Sequence, residues 1–418
     1  MDTNQIYTIV NEVNAEAFGS TDIDVIDAQG LVSLGDTVLS STTNTEAFLN
    51  TLVQRIGRTI ISFRQYRNKL GDMVVDDFEF GAILQKLRVH LTDAQADPAY
   101  ALTDGESVDP WTINKPDVEQ KLFVSRTPYM FAVTIARKQL REAFLSESAM
   151  GAFIGAVFGQ VRNSIEVSLE NLGRTCIANM IGEFTPATPS EGETTTLNHE
   201  VALCTLYNTA RGYESTDAGY VDEDTCLFDP EFLRFAVATM KMYADNMTDM
   251  STLYNDGSIE SFTPREDQRL KVLSSFERVL ETVVQYSAFN EEMVRLNAFS
   301  TLNFWQSAQD PSYIMVERAS DGAQVIKTHI VAVLYDRDAL GMYKKDEDVL
   351  TTPVNAKGLY YNTFYHQLEL WFNDTSENFV YFTLNCRAQA LVINLAHRRG
   401  CPRLLLIRGI KYGKLCFR

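Results

Sequence analysis

Apolar residues recur at helical spacing along one long stretch without proline, residues 146–181. They fall three or four positions apart, as on one helix face: Phe153, Ile154, Val157, Phe158, Val161, Ile165, Leu169, Leu172, Ile177 and Ile181. Ser146 or Ser148 is a suitable N-cap, and Gly182 with Pro186 supplies a stop signal. The pattern predicts one helix of roughly 50 Å, which is longer than a compact small domain and suits a broad, flat body.

Three glycines recur at every fourth position in the first half of this stretch: Gly151, Gly155 and Gly159. Glycine inside a helix costs roughly 0.5–1 kcal/mol relative to alanine, so the repeat indicates that another backbone approaches closely. The approaching segment belongs either to a neighbouring subunit, which would make the glycines a close-packing interface, or to the same subunit. A membrane span is not predicted, because only fourteen uncharged residues separate Glu147 from Arg162 and a span needs about twenty.

Strict alternation of apolar and polar residues predicts a strand at residues 87–91, and a return strand is expected at residues 119–124 after a long polar segment. The segment between them has too little apolar surface to fold alone. We therefore expect residues 68–127 to form a projecting hairpin or loop that lies on a partner. A third alternating strand follows, with these residues on one face: Tyr129, Phe131, Val133 and Ile135.

Less regular patterns cover the N-terminal part of the chain. Residues 1–45 mix short apolar runs with Asp, Thr, Ser and Asn, which favours an extended arm with at most one short helix. A short amphipathic helix is expected from about residue 45 to residue 57, followed by a strand at residues 59–63.

Local start signals predict elements in the middle of the chain. Asp229 followed by Pro230 is a strong helix start, and that helix should end near Asn246. Residues 269–274 alternate like a strand, and a helix is expected over about residues 276–289.

The last well-patterned block predicts three strands. The nearly continuous apolar run at residues 329–335 predicts a buried strand. Residues 364–372 and 378–384 are expected to pair as a long antiparallel hairpin around a turn at residues 373–377. One face of the first hairpin strand carries Phe364, His366, Leu368, Leu370 and Phe372.

Composition narrows the class of protein. The chain has 418 residues, 45% of them hydrophobic, which is enough for a large core and suggests two or three domains. Its formal net charge of −18 argues against a protein whose whole surface binds nucleic acid. From His397 onward there are seven Lys or Arg residues and no acid. This is either a basic tail that contacts nucleic acid or an acidic neighbour, or a terminus outside its native reading frame.

Six cysteines are scattered along the chain without any C-x-x-C pair: Cys176, Cys204, Cys226, Cys386, Cys401 and Cys416. In a chain of this length they predict reduced thiols rather than a disulfide framework or a zinc site. The first residues lack the basic and apolar regions of a signal peptide. We therefore expect the protein to be made and assembled in a cytoplasm, with no membrane partner.

The usual sequence signatures of catalysis are absent. There is no G-x-x-x-x-G-K-[ST], no G-x-G-x-x-G after a strand and no G-x-S-x-G. No histidine has a His or Cys partner at metal-ligand spacing, across His90, His199, His329, His366 and His397. We predict no catalytic, cofactor-binding or metal-ligating residue, no cofactor and no enzymatic activity.

Five stretches carry a resemblance to a known family. They are LVQRIGRTII (residues 52–61), the predicted helix (146–181), VLYDRDALGMY (333–343), KGLYYNTFYHQLELWF (357–372) and ENFVYFTL (377–384). In this order they resemble the major capsid proteins of tailed bacteriophages, which have the Hong Kong 97 capsid fold also used by herpesviruses. Within that family, the chain looks most like the major capsid proteins of the small phi-29-like podoviruses.

The resemblance implies an α+β subunit with the Hong Kong 97-type capsid fold. The implied segments are an N-terminal arm (residues 1–67), an E-loop over the adjacent subunit (68–127), a P-domain with the spine helix (128–182), an A-domain (183–328), A- and P-domain strands with a long β-hairpin (329–395) and a basic C-terminal tail (396–418).

The resemblance also implies a structural function. The chain would be a major capsid protein that self-assembles, as pentamers and hexamers, into the icosahedral or prolate shell around the double-stranded DNA genome of a tailed phage. Its partners would be itself, a scaffolding protein, a portal protein and the packaged DNA in loose contact. It would lie in the virion capsid after assembly in the bacterial host cytoplasm. The alternatives are an encapsulin-type nanocompartment shell protein, a tail or connector component, or a soluble enzyme.

Overall fold

A computed structural model describes residues 3–19, 25–56, 66–75, 84–92, 113–155, 159–185, 199–287 and 299–386, with isolated residues between 94 and 111. The chain forms two compact units, each built from three separate stretches. The first comprises Met1–Ala82, Val124–Gly173 and Met342–Trp371, and the second comprises Ile83–Phe123, Arg174–Gly341 and Phe372–Arg418. The strand predicted at residues 59–63 and the basic tail at 396–418 lie outside the described residues.

The described chain contains both helices and strands. The helices are α1 (Thr3–Phe18), α2 (Ala28–Leu39), α3 (Thr42–Ile56), α4 (Arg137–Ala143), α5 (Glu147–Ile154), α6 (Gln160–Glu183), α7 (Leu203–Arg211), α8 (Pro230–Asn246) and α9 (Ser274–Ser287). The strands are β1 (Val74–Val75), β2 (Leu84–Val89), β3 (Val118–Phe123), β4 (Arg126–Ala136), β5 (Glu200–Ala202), β6 (Gln268–Leu273), β7 (Phe299–Leu302), β8 (Ile314–Glu317), β9 (Gln324–Lys327), β10 (Ile330–Asp336), β11 (Leu340–Thr351), β12 (Tyr360–Asn373) and β13 (Phe379–Thr383).

The start of the chain is helical. The extended arm expected for residues 1–45 is wrong, because α1 and α2 both lie in this region. Ile6, Val10 and Val13 recur at helical spacing in a polar sequence, and all three are buried. They belong to a core that α1, α2, α3 and α5 share with the first part of α6 and with Tyr361 of β12. The short helix predicted at residues 45–57 is confirmed as part of α3.

Helix covers most of the long stretch predicted at residues 146–181. It forms α5 and α6, with Gly155 and Gly159 in a wider, π-type turn between them, and residues 156–158 lie outside the described part. Ser146 is the N-cap, as predicted, and its hydroxyl accepts a hydrogen bond from the amide of Ala149 at 3.2 Å.

The sheet of the first unit has the strand order β1-β11-β12-β4. Residues directly opposite each other in antiparallel strands share a face, and Tyr365 of β12 lies opposite Phe131 of β4. The inner face predicted for β4 is confirmed, because its members are buried or half-buried: Tyr129, Phe131, Val133 and Ile135.

On β12 the face that sequence pattern marked as apolar is fully buried only at its C-terminal end, at Leu370 and Phe372. The residues across from the inner face of β4 are buried: Tyr361, Thr363, Tyr365 and Gln367. Phe364 and Leu368 are half-buried, and His366 is exposed. Pairing with β4 decides this orientation, although Phe364 and Leu368 are more apolar than Thr363 and Gln367.

A long β-hairpin is present, but its strands are β11 and β12, which are neighbours in the sheet. Just after β11, the Thr352 amide donates a hydrogen bond to Asn362 O at 2.8 Å. The predicted pairing of residues 364–372 with residues 378–384 is wrong, because β13 lies between β5 and β10 in the other unit. The two strands suit different sheets: all five residues of β13 are buried, as in a strand covered on both faces, whereas β12 alternates.

The second unit is built on a five-stranded sheet with the order β5-β13-β10-β6-β7. β10 lies at its centre and all seven of its residues are buried, which confirms the buried strand predicted there. α8 starts where predicted, with the Asp229 carboxylate accepting from the Glu231 amide at 2.8 Å, and it ends at Asn246. β6 and α9 confirm the predicted strand and helix that follow.

Candidate functional site

The β2–β3 hairpin of the second unit has two chemically different faces, because its strands alternate and pair in antiparallel register. We call the half-buried side the anchor face; it carries Leu84, Lys86, Arg88, Glu119, Lys121 and Phe123. We call the exposed side the outer face; it carries Gln85, Leu87, Val89, Val118, Gln120 and Leu122.

Asp374 attaches both hairpin strands to the loop that follows β12. Lys86 and Lys121 lie directly opposite each other in the register, where two like charges repel. The Asp374 carboxylate contacts both, with Oδ2 2.7 Å from Lys86 Nζ and Oδ1 3.4 Å from Lys121 Nζ. Because Asp374 is fully buried, water screens these ion pairs less than it would at the surface. Without this carboxylate the two lysines would face each other at close range.

Glu377 provides a second attachment point. Its carboxylate pairs with Arg88 and with Lys86, and it accepts a hydrogen bond from the Ser261 hydroxyl at 2.9 Å. Arg88 also donates to the carbonyl oxygen of Ser376 at 3.1 Å. Only 5% of the Glu377 side chain is exposed, so these partners replace the water that a carboxylate would otherwise bind.

Short-range hydrogen bonds hold the loop in the shape that presents these acids. The Ser376 hydroxyl donates to Asp374 Oδ1 at 2.6 Å, and the Asp374 amide donates to Ala339 O at 2.8 Å. The Thr375 hydroxyl donates to Asp256 Oδ2 at 2.6 Å. The turn predicted at residues 373–377 is therefore confirmed, and its polar side chains order it.

The charged state of the attachment follows from burial and from the neighbouring charges. Burial acts to raise the pKa of Asp374, but the charge of Lys86 and hydrogen bonds from Lys86 and Ser376 lower the pKa overall. Burial, the largest cause, lowers the pKa of Lys86, while the charge of Asp374 and its hydrogen bond act to raise it. The lowered pKa of Asp374 decides the state of the pair, because Asp374 is fully buried between two lysines whereas 23% of the Lys86 side chain is exposed.

We expect acid to weaken the attachment. The pKa of Asp374 in the folded chain lies below its ordinary value of 3.8, so near this pH the unfolded chain binds more protons than the folded chain. The contribution of Asp374 to stability is therefore complete above about pH 5 and is lost as the pH falls through the lower, folded-state pKa. Urea unfolding midpoints measured from about pH 6 to about pH 3 should fall more steeply for the wild type than for Asp374→Asn. Equal slopes would contradict this prediction.

The outer face is apolar and open to solvent. Leu87 is 60% exposed and Val89 is 59% exposed, and Val118 and Leu122 are exposed beside them. An ordinary surface hairpin turns its apolar face inward and its charges outward. Within its unit this hairpin instead turns its charged side chains inward and leaves these four apolar side chains exposed, as is typical of an association surface.

Comparison with known proteins identifies the family. The model of a family described as Phi29-like phage major capsid protein matches residues 6–383. The chain belongs to this family. It is therefore a major capsid protein of a phage, as the resemblance implied, and the encapsulin, tail-component and enzyme alternatives are not favoured.

Individual relatives agree with the family assignment. The chain is 23% identical over 323 residues to the major capsid protein of Streptococcus phage Cp-1, an alignment that covers 76% of this chain and 77% of that protein. It is 24% identical over 165 residues to the major capsid protein of Bacillus phage B103, covering 38% of this chain and 35% of that one.

A solved structure shares the fold of this capsid protein. A chain in the structure of the head fiber and inner core protein gp22 of native bacteriophage P68 aligns with a TM-score of 0.50 and 10% identity, over 78% of this chain and 87% of that one. At this identity the likeness concerns the fold alone. The α+β architecture of the Hong Kong 97 type is thus confirmed.

The three predicted interface glycines of this capsid protein lie at and after α5. Gly151 and Gly155 are buried within the chain, and Gly159 is half-buried. α5, which contains Gly151, packs against α1 and α4. The role of the three glycines in a close contact between subunits stays a prediction.

Within the residues that the structure describes, no three His, Cys, Asp or Glu side chains are placed to hold a metal ion. No helix of that part of the capsid protein is long and apolar enough to cross a membrane. His366, which the sequence pattern placed on an apolar strand face, is exposed.

Sequence pattern missed the attachment residues Lys86, Lys121 and Asp374. Alternation at residues 87–91 indicates a strand with one apolar side, and an apolar side is normally the buried one. The available signal is a charge pattern: each predicted strand carries a basic residue, Arg88 or Lys121, and an acid-containing turn occurs far along the chain. Nothing in the local sequence links the two.

Proposed function

We propose that copies of this capsid protein join by placing the outer face of one β2–β3 hairpin on an adjacent copy. The reversed hairpin carries this proposal: ion pairs to Asp374 and Glu377 hold the anchor face on its own unit, while Leu87 and Val89 are left exposed. Burying such a face stabilises a contact by about 25 cal/mol per Å² of apolar surface. Residues 68–127 would then act as the E-loop that the resemblance implied.

The remaining segments would take the roles that the resemblance gives them. Residues 1–67 would be the N-terminal arm, 128–182 the P-domain with the spine helix and 183–328 the A-domain. Residues 329–395 would supply A- and P-domain strands, and residues 396–418 the basic tail. Gly151, Gly155 and Gly159 would allow a second segment to cross the spine helix closely.

The assembled product would be the icosahedral or prolate shell of a tailed phage, formed from pentamers and hexamers in the bacterial host cytoplasm. A scaffolding protein and a portal protein would guide its closure. The formal net charge of −18 would let packaged double-stranded DNA slide with loose contact, because tight phosphate binding needs neutralisation by Lys and Arg. The chain would act by assembly and not by catalysis.

Deleting the hairpin tip tests this function. Replacing residues 92–109 with a short Gly-Ser linker should leave a folded subunit that fails to form stable shells, because the outer face loses its extension over the neighbour. Circular dichroism would check folding, and electron microscopy of full-length and deleted chains, each with and without scaffold, would check assembly. Shells of unchanged stability after deletion would contradict the E-loop role. Dispersed full-length subunits with and without scaffold would contradict the shell function.

A further inference from the structure

Three cysteine thiols of the second unit converge on one short loop, residues 221–223. Each thiol donates to a successive carbonyl oxygen: Cys386 to Val221 at 3.4 Å, Cys204 to Asp222 at 3.9 Å and Cys226 to Glu223 at 3.5 Å. Cys204 lies in α7, Cys226 lies after it, and Cys386 follows β13. The cluster is a product of the tertiary fold, because no two of these residues are close in sequence.

The Cys204 thiol is on the carbonyl oxygen of Asp222, the middle residue of the loop, and the other two thiols are on the carbonyl oxygens on either side of it. The backbone brings Cys204 and Cys386 together independently of the thiols, since the Thr205 hydroxyl donates to Asn385 O at 3.0 Å. The Cys386 amide is also held, by Glu223 Oε1 at 3.2 Å. Two hydrogen bonds thus fix the segment after β13 against α7 and the loop.

The three thiols differ in access to solvent. Cys204 and Cys226 are fully buried, whereas Cys386 is half-buried. Of the three, Cys386 is therefore the one that a small molecule in solution can reach first. The three thiols are not placed to hold a metal ion together, because no three His, Cys, Asp or Glu side chains among the described residues have that arrangement.

The surroundings keep Cys204 and Cys386 protonated near neutral pH, because both pKa values are raised. Burial raises the pKa of Cys386 to about 11. The hydrogen bond with Cys226 and burial raise the pKa of Cys204 as well. Because the thiolate is the reactive form, the cluster is slow to react at neutral pH and becomes faster in base.

We propose that Cys204 and Cys386 form a disulfide when the chain meets a small-molecule disulfide such as oxidised glutathione. The Cys386 thiolate attacks one glutathione sulfur, forms a mixed disulfide and releases the other glutathione as a thiolate. The Cys204 thiolate then attacks Cys386 Sγ, forms the internal bond and expels the second glutathione thiolate. The two cysteine protons end on the two glutathione thiolates, and two electrons reduce the glutathione disulfide.

The new bond would tie the end of β13 to α7. It would close a long loop of chain, and such a cross-link lowers the entropy of the unfolded chain. The proposal is independent of how copies assemble. It gives the subunit a latent cross-link that stays open in a reducing cytoplasm and closes in an oxidising exterior.

Peptide mapping of the full-length chain tests the proposal. The chain is incubated with oxidised glutathione, alkylated with iodoacetamide, digested without reductant and analysed by mass spectrometry. We expect the peptides that contain Cys204 and Cys386 to be joined, lighter by two hydrogen atoms, with Cys226 alkylated. The rate should rise about tenfold per pH unit between about pH 7 and pH 9. Dithiothreitol should restore both free thiols.

Matched variants assign the bond to one pair. Cys226→Ser should keep the joined peptides, and Cys386→Ser should lose them. A linkage of Cys204 with Cys226, or of Cys386 with Cys401 or Cys416, would overturn the proposal. So would a wild-type chain in which Cys204 stays alkylatable, whether or not Cys386 carries glutathione. The wild-type map decides even if a variant fails to fold.

Discussion

Replacing Asp374 with alanine is expected to lower the free energy of unfolding by about 3 kcal/mol. The substitution removes a fully buried carboxylate that contacts Lys86 and Lys121, and it leaves these two lysines opposite each other without a shared partner. The Ser376 hydroxyl would lose its acceptor as well. Urea unfolding followed by circular dichroism measures the change.

Two further measurements separate this attachment from a general effect of charge removal. Glu231→Gln removes one partner of an exposed ion pair, in which the Arg211 side chain is 48% exposed and the Glu231 side chain is 62% exposed. This substitution should lower the free energy of unfolding by less than about 1 kcal/mol. In a double-mutant cycle of Asp374→Ala with Lys86→Met, the change in unfolding free energy of the double variant should differ strongly from the sum of the two single changes. Additive effects would mean that the ion pair does not attach the hairpin.

Placing two acids on the outer face is expected to abolish shells while leaving the subunit folded. Leu87 and Val89 are exposed in the subunit, so changing both to Asp should alter the free energy of unfolding by about 0.5 kcal/mol or less per site. In a shell each contact would bury carboxylates without partners, which costs at least about 2 kcal/mol. Sedimentation velocity and electron microscopy would show dispersed subunits in place of megadalton particles.

The matched control keeps the outer face apolar. Leu87→Met with Val89→Ile preserves its apolar character with little change in volume and should assemble like the wild type. Normal shells from the double Asp variant would show that the outer face is not an assembly contact. Loss of shells in both variants would point instead to a requirement for a specific side-chain shape.

Elements with strong local signals were predictable. The Asp229 cap and Pro230 give α8 its start, and the continuous apolar run at residues 329–335 gives a buried strand. These signals act over a few residues, through capping hydrogen bonds, backbone φ restriction and burial on both faces. The helices α1 and α2 were missed because their apolar positions are sparse in a polar sequence, and packing in the shared core supports them.

Strand partners and buried faces were less predictable. Two neighbouring strands in the sequence looked like a hairpin, yet β12 pairs with β11 and β4, and β13 pairs with β10 and β5. On β12 the buried face carries Thr363 and Gln367 because these lie opposite inward residues of β4. The two-residue periodicity of a strand indicates that it has two faces, but the partner strand decides which face is covered.

Local sequence patterns predict a long helical stretch with a glycine repeat, strands with one apolar side, and the ordered motifs of a phage capsid subunit. That the charged side of the β2–β3 hairpin faces inward is a result of tertiary folding. That orientation depends on the contact of Lys86 with Asp374, which lie 288 positions apart, and on burial that removes water from their charges. Local sequence patterns do not reveal this contact or this burial, because both arise only when distant segments of the chain meet.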